Sequence, residues 1–233
     1  MAKSKNKTHI LVECAILLAV AAVLSVFPKF DGMWANGGSI TLCSMLPVIL
    51  ISYRHGWKWG LLSGLVFSIL QMLTGGVYFA AASLPVVILG FFLDYIFSFT
   101  VLGLGGMFRG CFKKIKNQNV AVMTELLAGT FVVTVLRYAA VVISGYFVWK
   151  DLAYATEFLS APGFGVGQWA LSNFSGDSLC LAYSFIYNGS YMIPEIIITC
   201  VGAVLISRLA LYGINGKKSK NTNDTNNEEA DKV

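Results

Sequence analysis

Apolar residues run along this chain in blocks longer than a soluble helix or strand needs. A membrane-spanning helix takes about 20 mostly apolar residues. Six blocks meet or approach that length: 10–27, 40–53, 57–73, 84–107, 120–149 and 185–212. The second is short, and the fifth is long enough to tilt or to project beyond the bilayer. The pattern predicts an all-α polytopic membrane protein, a six-transmembrane-helix bundle over residues 1–215. No internal polar linker is long enough to divide it into two domains. From Gly216 (GKKSKNTNDTNNEEADKV) apolar periodicity stops, so residues 216–233 are expected to form a disordered polar cytoplasmic tail. The first block is too long for the apolar core of a signal peptide. It ends in FPKFDG without a small-residue cleavage site, so it is expected to remain as the first span.

Composition agrees: 56% of the residues are hydrophobic and 12% charged, against about 25% charged in soluble domains. The net charge is +5, and its placement says more than its size. Basic residues precede the first block (Lys3, Lys5, Lys7) and lie between the second and third (Arg54, Lys58). Others lie between the fourth and fifth (Arg109, Lys113, Lys114, Lys116) and after the sixth (Lys217, Lys218, Lys220). All four groups fall on one side if there are six spans, while the opposite connections carry only Lys29 and Lys150. The positive-inside rule then predicts both termini in the cytoplasm.

No basic stripe interleaved with aromatics speaks for nucleic acid. The five cysteines (Cys14, Cys43, Cys111, Cys180, Cys200) are scattered, without C-x-x-C, and the histidines are His9 and His55. The cysteines read as small buried hydrophobes, and neither a metal nor a cofactor is expected. No nucleotide loop, H-E-x-x-H or G-x-S-x-G occurs, and no nucleophile or metal supports Asp94 as a general base, so an enzyme is not expected.

Three ionisable residues sit deep inside apolar blocks: Asp94 in LDYIF, Arg137 in VLRYAAVV and Glu195 in MIPEIII. A charge at bilayer depth costs roughly 2.5–3.5 kcal/mol on insertion scales, so it usually faces a protein interior or a ligand. Glu13 and Glu125 lie near the starts of their blocks and carry less information. Asp94 and Tyr95 are about ten residues into the fourth block, roughly 15 Å deep, and Arg137 reaches similar depth from the outer end of the fifth. Arg137 has two candidate partners, Asp94 and Glu195, and the sequence does not choose. On the fifth block Arg137, Val141, Gly145 and Trp149 share a face at a spacing of four. Gly145 is either a gap that admits a flat ligand or a packing notch.

The sixth block opens with Tyr183, Tyr187 and Tyr191 on one face and with Asn188, whose amide both donates and accepts. Together Trp34, Tyr78, Trp149, Tyr183 and Tyr187 surround one carboxylate, an aromatic cage suited to a small, flat cation. The outer connections hold Phe30, Trp34 and Gly37-Gly38, then TGGVYFAAAS, then a long segment over about 150–182 with Trp169, Asp151, Glu157 and Asp177. That last segment is either a lid or a neutral insertion. Ala15 and Ala19, with Ala22 on the same side, allow close helix approach, either to a partner or within the bundle.

Five segments in order, GGSITLCSMLPVILISYRHG, TGGVY, LDYIFSF, LRYAAVVISGYFVW and YSFIYNGSYMIPE, resemble the thiamine-specific substrate-binding (S) component of energy-coupling factor transporters. The resemblance covers nearly the whole chain apart from the tail and part of the long outer segment. It implies a six-helix bundle in a bacterial cell membrane that captures thiamine from outside, without covalent chemistry. A transmembrane coupling subunit and two ATPase subunits would supply the work.

By the same resemblance, ligand-binding positions are Trp34, Tyr78, Asp94, Tyr95, Arg137, Gly145, Trp149, Tyr183 and Asn188. Ala15 and Ala19 correspond to the alanine motif that docks on the coupling subunit. Asp94 and Asn188 would read the aminopyrimidine edge, and Trp34, Trp149 and Tyr183 would enclose the rings and the cation. Arg137 would neutralise or orient Asp94, or meet a phosphate tail. Val141 stands where family members commonly carry His, and the expanded segment with Trp169 is a candidate to compensate. The rival expectations are an S-component for another ring-bearing vitamin or pyrimidine precursor, and a solitary secondary transporter.

Overall fold

The computed structural model describes residues 7–30, 34, 37–75 and 83–230, those beyond 207 by backbone alone. Helix α1 spans Lys7–Val26. A two-stranded ribbon follows: β1 (Lys29–Phe30) pairs antiparallel with β2 (Ile40–Thr41), Lys29 opposite Thr41. Next come α2 (Leu46–His55), with a proline in its first turn, and α3 (Trp57–Gly75). Proline suits that place because its missing N–H belongs to the unpaired first turn. Helix α4 covers Leu84–Leu104 and changes winding within it: α over Leu84–Gly90, π over Phe91–Phe97, then a short α turn and a 3₁₀ end.

Helix α5 (Gln118–Phe147) is capped by Asn117, whose side chain accepts from the backbone N–H groups of Asn119 and Val120. Two short helices, α6 (Leu152–Leu159) and α7 (Gly165–Asn173), precede α8 (Gly176–Ala230). The backbone of α8 is helical past residue 216, where composition predicts a disordered tail. Propagating a helix adds one hydrogen bond per residue fixed and needs no new nucleus, and composition does not register that.

The chain is helical, as expected, but the count of spans differs in detail. Among the described residues, four helices are long and apolar enough to cross a membrane: Lys7–Val26, Leu84–Leu104, Gln118–Phe147 and Gly176–Ser207. Over 40–53 the sequence suggests a short span, yet the helix starts only at Leu46 and has ten residues. At 1.5 Å per residue that is about 15 Å, half of a bilayer core. Every residue from Leu46 to Tyr53 is buried, so α2 works as an internal strut. Its neighbour α3 has 19 residues, but Lys58 and Gln71 dilute its apolar run.

Backbones approach closely where glycines face each other. A Cβ on Gly60 of α3 would collide with the Gly103 carbonyl of α4, and one on Gly103 would collide with the Gly60 backbone. Gly64 sits likewise against Phe99 and Thr100, and Gly129 of α5 against the Gly105 carbonyl. Lipid tails are as apolar as leucine, so membrane helices gain from close van der Waals packing, which small residues permit.

One end of the bundle is tied by polar groups. Glu13 pairs with Arg54 (2.7 Å) and His55 (3.0 Å). Arg109 donates to the carbonyls of Tyr53 and Arg54. Glu125, which the sequence ranks below the deep charges, is buried and accepts from the Tyr53 hydroxyl (2.7 Å) and the Gly110 N–H (2.8 Å). The start of α1, the α2–α3 turn and the connection after α4 therefore share one end.

At the other end, Lys150 donates to Asp177 (2.7 Å) and pins the two ends of the α6–α7 segment together. That hydrogen bond raises the exposed lysine amine above its ordinary value.

The glycine contacts give a test. Gly60→Ala lowers the thermal unfolding midpoint in detergent, by an overpacking penalty of about 1–3 kcal/mol. Gly165→Ala, where an added Cβ meets nothing within 4 Å, stays within about 0.5 kcal/mol of the parent.

Candidate functional site

The ends of α1 and α3, the segment around the β-ribbon, and parts of α4, α5 and α8 near the same end line one cavity of about 260 Å³. That is near the lower end of small-molecule sites. Eight of the nine residues expected from the sequence line it: Trp34, Asp94, Tyr95, Arg137, Gly145, Trp149, Tyr183 and Asn188. The ninth, Tyr78, lies outside the described residues.

The π-helical turn Phe91–Phe97 carries Asp94 and Tyr95. Such turns inside α-helices are frequent at functional sites, and no sequence signal announces this one. The Asp94 carboxylate accepts from the Trp149 indole N–H at 3.3 Å, and Ser144 lies beside it. Helix α5 ends at Phe147, two residues before Trp149. The indole still continues the stripe of Arg137, Val141 and Gly145, and all four line the cavity.

The partner of Arg137 is Glu195. Its Nη1 lies 3.2 Å from the Glu195 carboxylate, and its guanidinium stacks on the Phe99 ring with the carbon 4.5 Å from the centroid. The expectation that Arg137 neutralises or orients Asp94 does not hold, because α5 packs against α8 and presents Arg137 to the carboxylate there. Glu195 also accepts from the Thr41 hydroxyl at 2.6 Å, which joins β2 to the same cluster.

Gly145 resolves toward packing. Its backbone lines the cavity, but a Cβ there would run into Ser184 Oγ and stand 2.9 Å from Asn188 Nδ2. Asn188 is held from both sides. Its Nδ2 donates to the Ser184 carbonyl (2.9 Å), and its Oδ1 accepts from the Tyr191 hydroxyl (2.6 Å). Nδ2 also donates to the Ser184 hydroxyl at 3.3 Å, so one lone pair on the amide oxygen remains for a ligand.

Aromatic rings form the wall on the α8 side. Tyr183, Tyr187 and Tyr191 follow one another with centroids 5.4 and 6.4 Å apart, and Trp34 meets Tyr191 edge-on at 5.7 Å. The Trp34 indole donates to Ser190 Oγ (2.7 Å), and the Tyr187 hydroxyl donates to the Gly37 carbonyl (2.8 Å). Gly38 has φ +114°, and a Cβ there would stand 2.7 Å from the Tyr191 ring, so only glycine fits.

Tyr191 is absent from the expected set although its spacing of four from Tyr187 marks the face. Gln71 and Thr74, also lining, are signalled only as polar residues at the end of an apolar block.

The 150–182 segment packs behind one wall of the cavity. None of α6 or α7 lines the cavity. Phe158 of α6 packs behind it against Tyr183 and Tyr187 at 5.6 and 5.1 Å, with Ala155 and Leu159 fully buried. Trp169 is 56% exposed and touches Phe174, so it does not replace the ring missing at Val141. Far from the cavity, Ala15 and Ala19 lie on the exposed face of α1, beside Leu11, Val12, Ile16 and Val23. No group of three or more metal-ligating side chains occurs among the described residues.

Comparison with known proteins gives concordant results. The family described as thiamine transporter protein (Thia_YuaJ) matches residues 11–166. The thiamine transporter ThiT of Bacillus subtilis (strain 168) is 31% identical over 198 residues, 84% of this chain and 88% of that protein. The solved structure of ThiT from Listeria monocytogenes, 22% identical, shares the fold with a TM-score of 0.59 over 88% of this chain and 96% of that one. A family match across most of the spanning helices, a relative matched along most of both chains and a common fold agree: the chain belongs to the thiamine transporter protein family.

Proposed function

We propose that this chain is the membrane-embedded thiamine-binding subunit, or S-component, of an energy-coupling factor type vitamin uptake transporter. It takes thiamine from outside the cell. The observation that carries this is one carboxylate, Asp94, at a cavity walled by Trp34, Trp149, Tyr183 and Tyr187. Thiamine carries two flat rings joined by a methylene, a cationic thiazolium and an amino-bearing pyrimidine. Asp94 offers an acceptor to the amino group, and the remaining Oδ1 lone pair of Asn188 offers a second acceptor to a ring edge. Aromatic faces attract a desolvated cation by about 2 kcal/mol. Val141 leaves an apolar wall where relatives commonly have His.

Placement follows the charges. The end tied by Glu13, Arg54 and Arg109 is the cytoplasmic one, with both termini and the polar residues 216–233, and the cavity opens outward. The exposed small-residue face of α1 at Ala15 and Ala19 is where the transmembrane coupling subunit packs, and two ATPase subunits drive release. The chain itself performs no covalent chemistry.

Purified protein therefore binds one thiamine and loses tryptophan fluorescence, because Trp34 and Trp149 line the cavity. Asp94→Ala weakens binding about 10- to 100-fold, as expected for a charge-assisted hydrogen bond of roughly 1.5–3 kcal/mol. Asp94→Asn falls between. Unchanged affinity in titration calorimetry of the alanine variant removes Asp94 from the site, and preference for another vitamin in a competition panel reassigns the ligand.

Docking is tested separately. Ala15→Trp or Ala19→Trp abolishes thiamine uptake by cells carrying the complete transporter and leaves binding by the isolated chain intact. Retained uptake places the coupling subunit elsewhere.

A further inference from the structure

Three acidic or basic side chains lie at or just under the cavity among the described spanning residues, and their formal charges do not cancel. Asp94 and Arg137 line it, and Glu195 lies behind Arg137 without lining it. Both Glu195 oxygens are engaged, Oε2 with Arg137 at 3.2 Å and Oε1 with the Thr41 hydroxyl at 2.6 Å. Its side chain is 3% exposed and that of Arg137 is 12% exposed, so water screens the pair little. Lys29, also at the cavity, stands on the exposed β1 strand at its rim. With both carboxylates ionised, the buried sum is one negative charge. Without Glu195 it is zero, since arginine does not deprotonate in proteins.

We infer that Glu195 is a specificity-determining residue. By cancelling Arg137 it leaves Asp94 as the uncompensated buried charge, and so it sets the preference for a singly positive ligand over a neutral one of the same shape. This rests on the thiamine-binding reading proposed above and deepens it. Glu195 never touches the ligand. It acts through Arg137, whose guanidinium, held toward Glu195 and over the Phe99 ring, otherwise repels an incoming cation. Arginine still has a use there: its donors reach Met45 Sδ as well as Glu195 and hold α5 to α8 and to the start of α2.

The test compares thiamine with its neutral isostere, in which carbon replaces the charged ring nitrogen. Both are titrated into the purified chain and into Glu195→Gln, which keeps size and one of the two accepting oxygens while removing the charge. Glu195→Gln lowers the thiamine-to-isostere affinity ratio about tenfold, the size of one uncompensated charge about a nanometre away at an effective interior dielectric of about 20. Isostere affinity barely changes. The double variant Arg137→Met/Glu195→Gln removes both charges and brings the preference back, a coupling that a double-mutant cycle reads directly. A purely structural role for Glu195 weakens both ligands alike and shows no return in the double variant, and that pattern overturns the inference. An unchanged ratio in Glu195→Gln overturns it too. A parent chain that binds neither ligand overturns the thiamine reading itself, a different result from either.

Discussion

A guanidinium at bilayer depth has to find an anion, and much of the architecture around the cavity follows from where Arg137 finds one. Its partner is Glu195. That choice ties α5 to α8, and the Thr41 hydroxyl on the same carboxylate ties both to the β-ribbon. Met45, one residue before α2, completes the cluster. Four separate parts of the chain thus meet beneath the cavity through charge-assisted hydrogen bonds. Breaking such a pair leaves a buried, uncompensated charge and destabilises by about 3–5 kcal/mol.

Because Arg137 is occupied below, the cavity above is free to be defined by Asp94. Trp149 supplies the carboxylate with an indole donor, and the π-turn of α4 presents it. The tyrosines of α8 form the opposite wall, and Phe158 stiffens them from behind. The long outer segment thus works as a buttress to an aromatic wall. Rigidity of this kind suits a binding protein, since ordering side chains on ligand capture costs about 0.5–1.5 kcal/mol each.

The helices were legible because lipid imposes length and hydropathy on anything that spans it. Three of the four long apolar helices start within about three residues of the apolar blocks that announce them. Helix α8 begins earlier than its block, at Gly176, because Asp177, Ser178 and Ser184 interrupt the apolar run. Helix α2 was misleading for the opposite reason. Its block is as apolar as a span, but it is buried by protein on all sides, and hydropathy does not tell a lipid neighbour from a protein one. The π-turn of α4 left no trace in composition. The short helices α6 and α7 carry too few residues to show a pattern of their own.

In the site, side chains at a spacing of four were readable as one face of a helix, because the period of the α-helix is a local property. Sequence alone therefore determined the apolar spans, the stripe from Arg137 to Trp149, the tyrosine face of α8 and the presence of three deep charges. Tertiary structure decided which charges pair, that Gly145 makes room for α8 through Ser184 and Asn188, that Trp169 stays outside, and that Ala15 and Ala19 face away from the bundle. Each of those depends on the approach of two helices distant in sequence. Spacing along one helix fixes a direction around its axis, but only the neighbour that fills that direction determines what the residue meets.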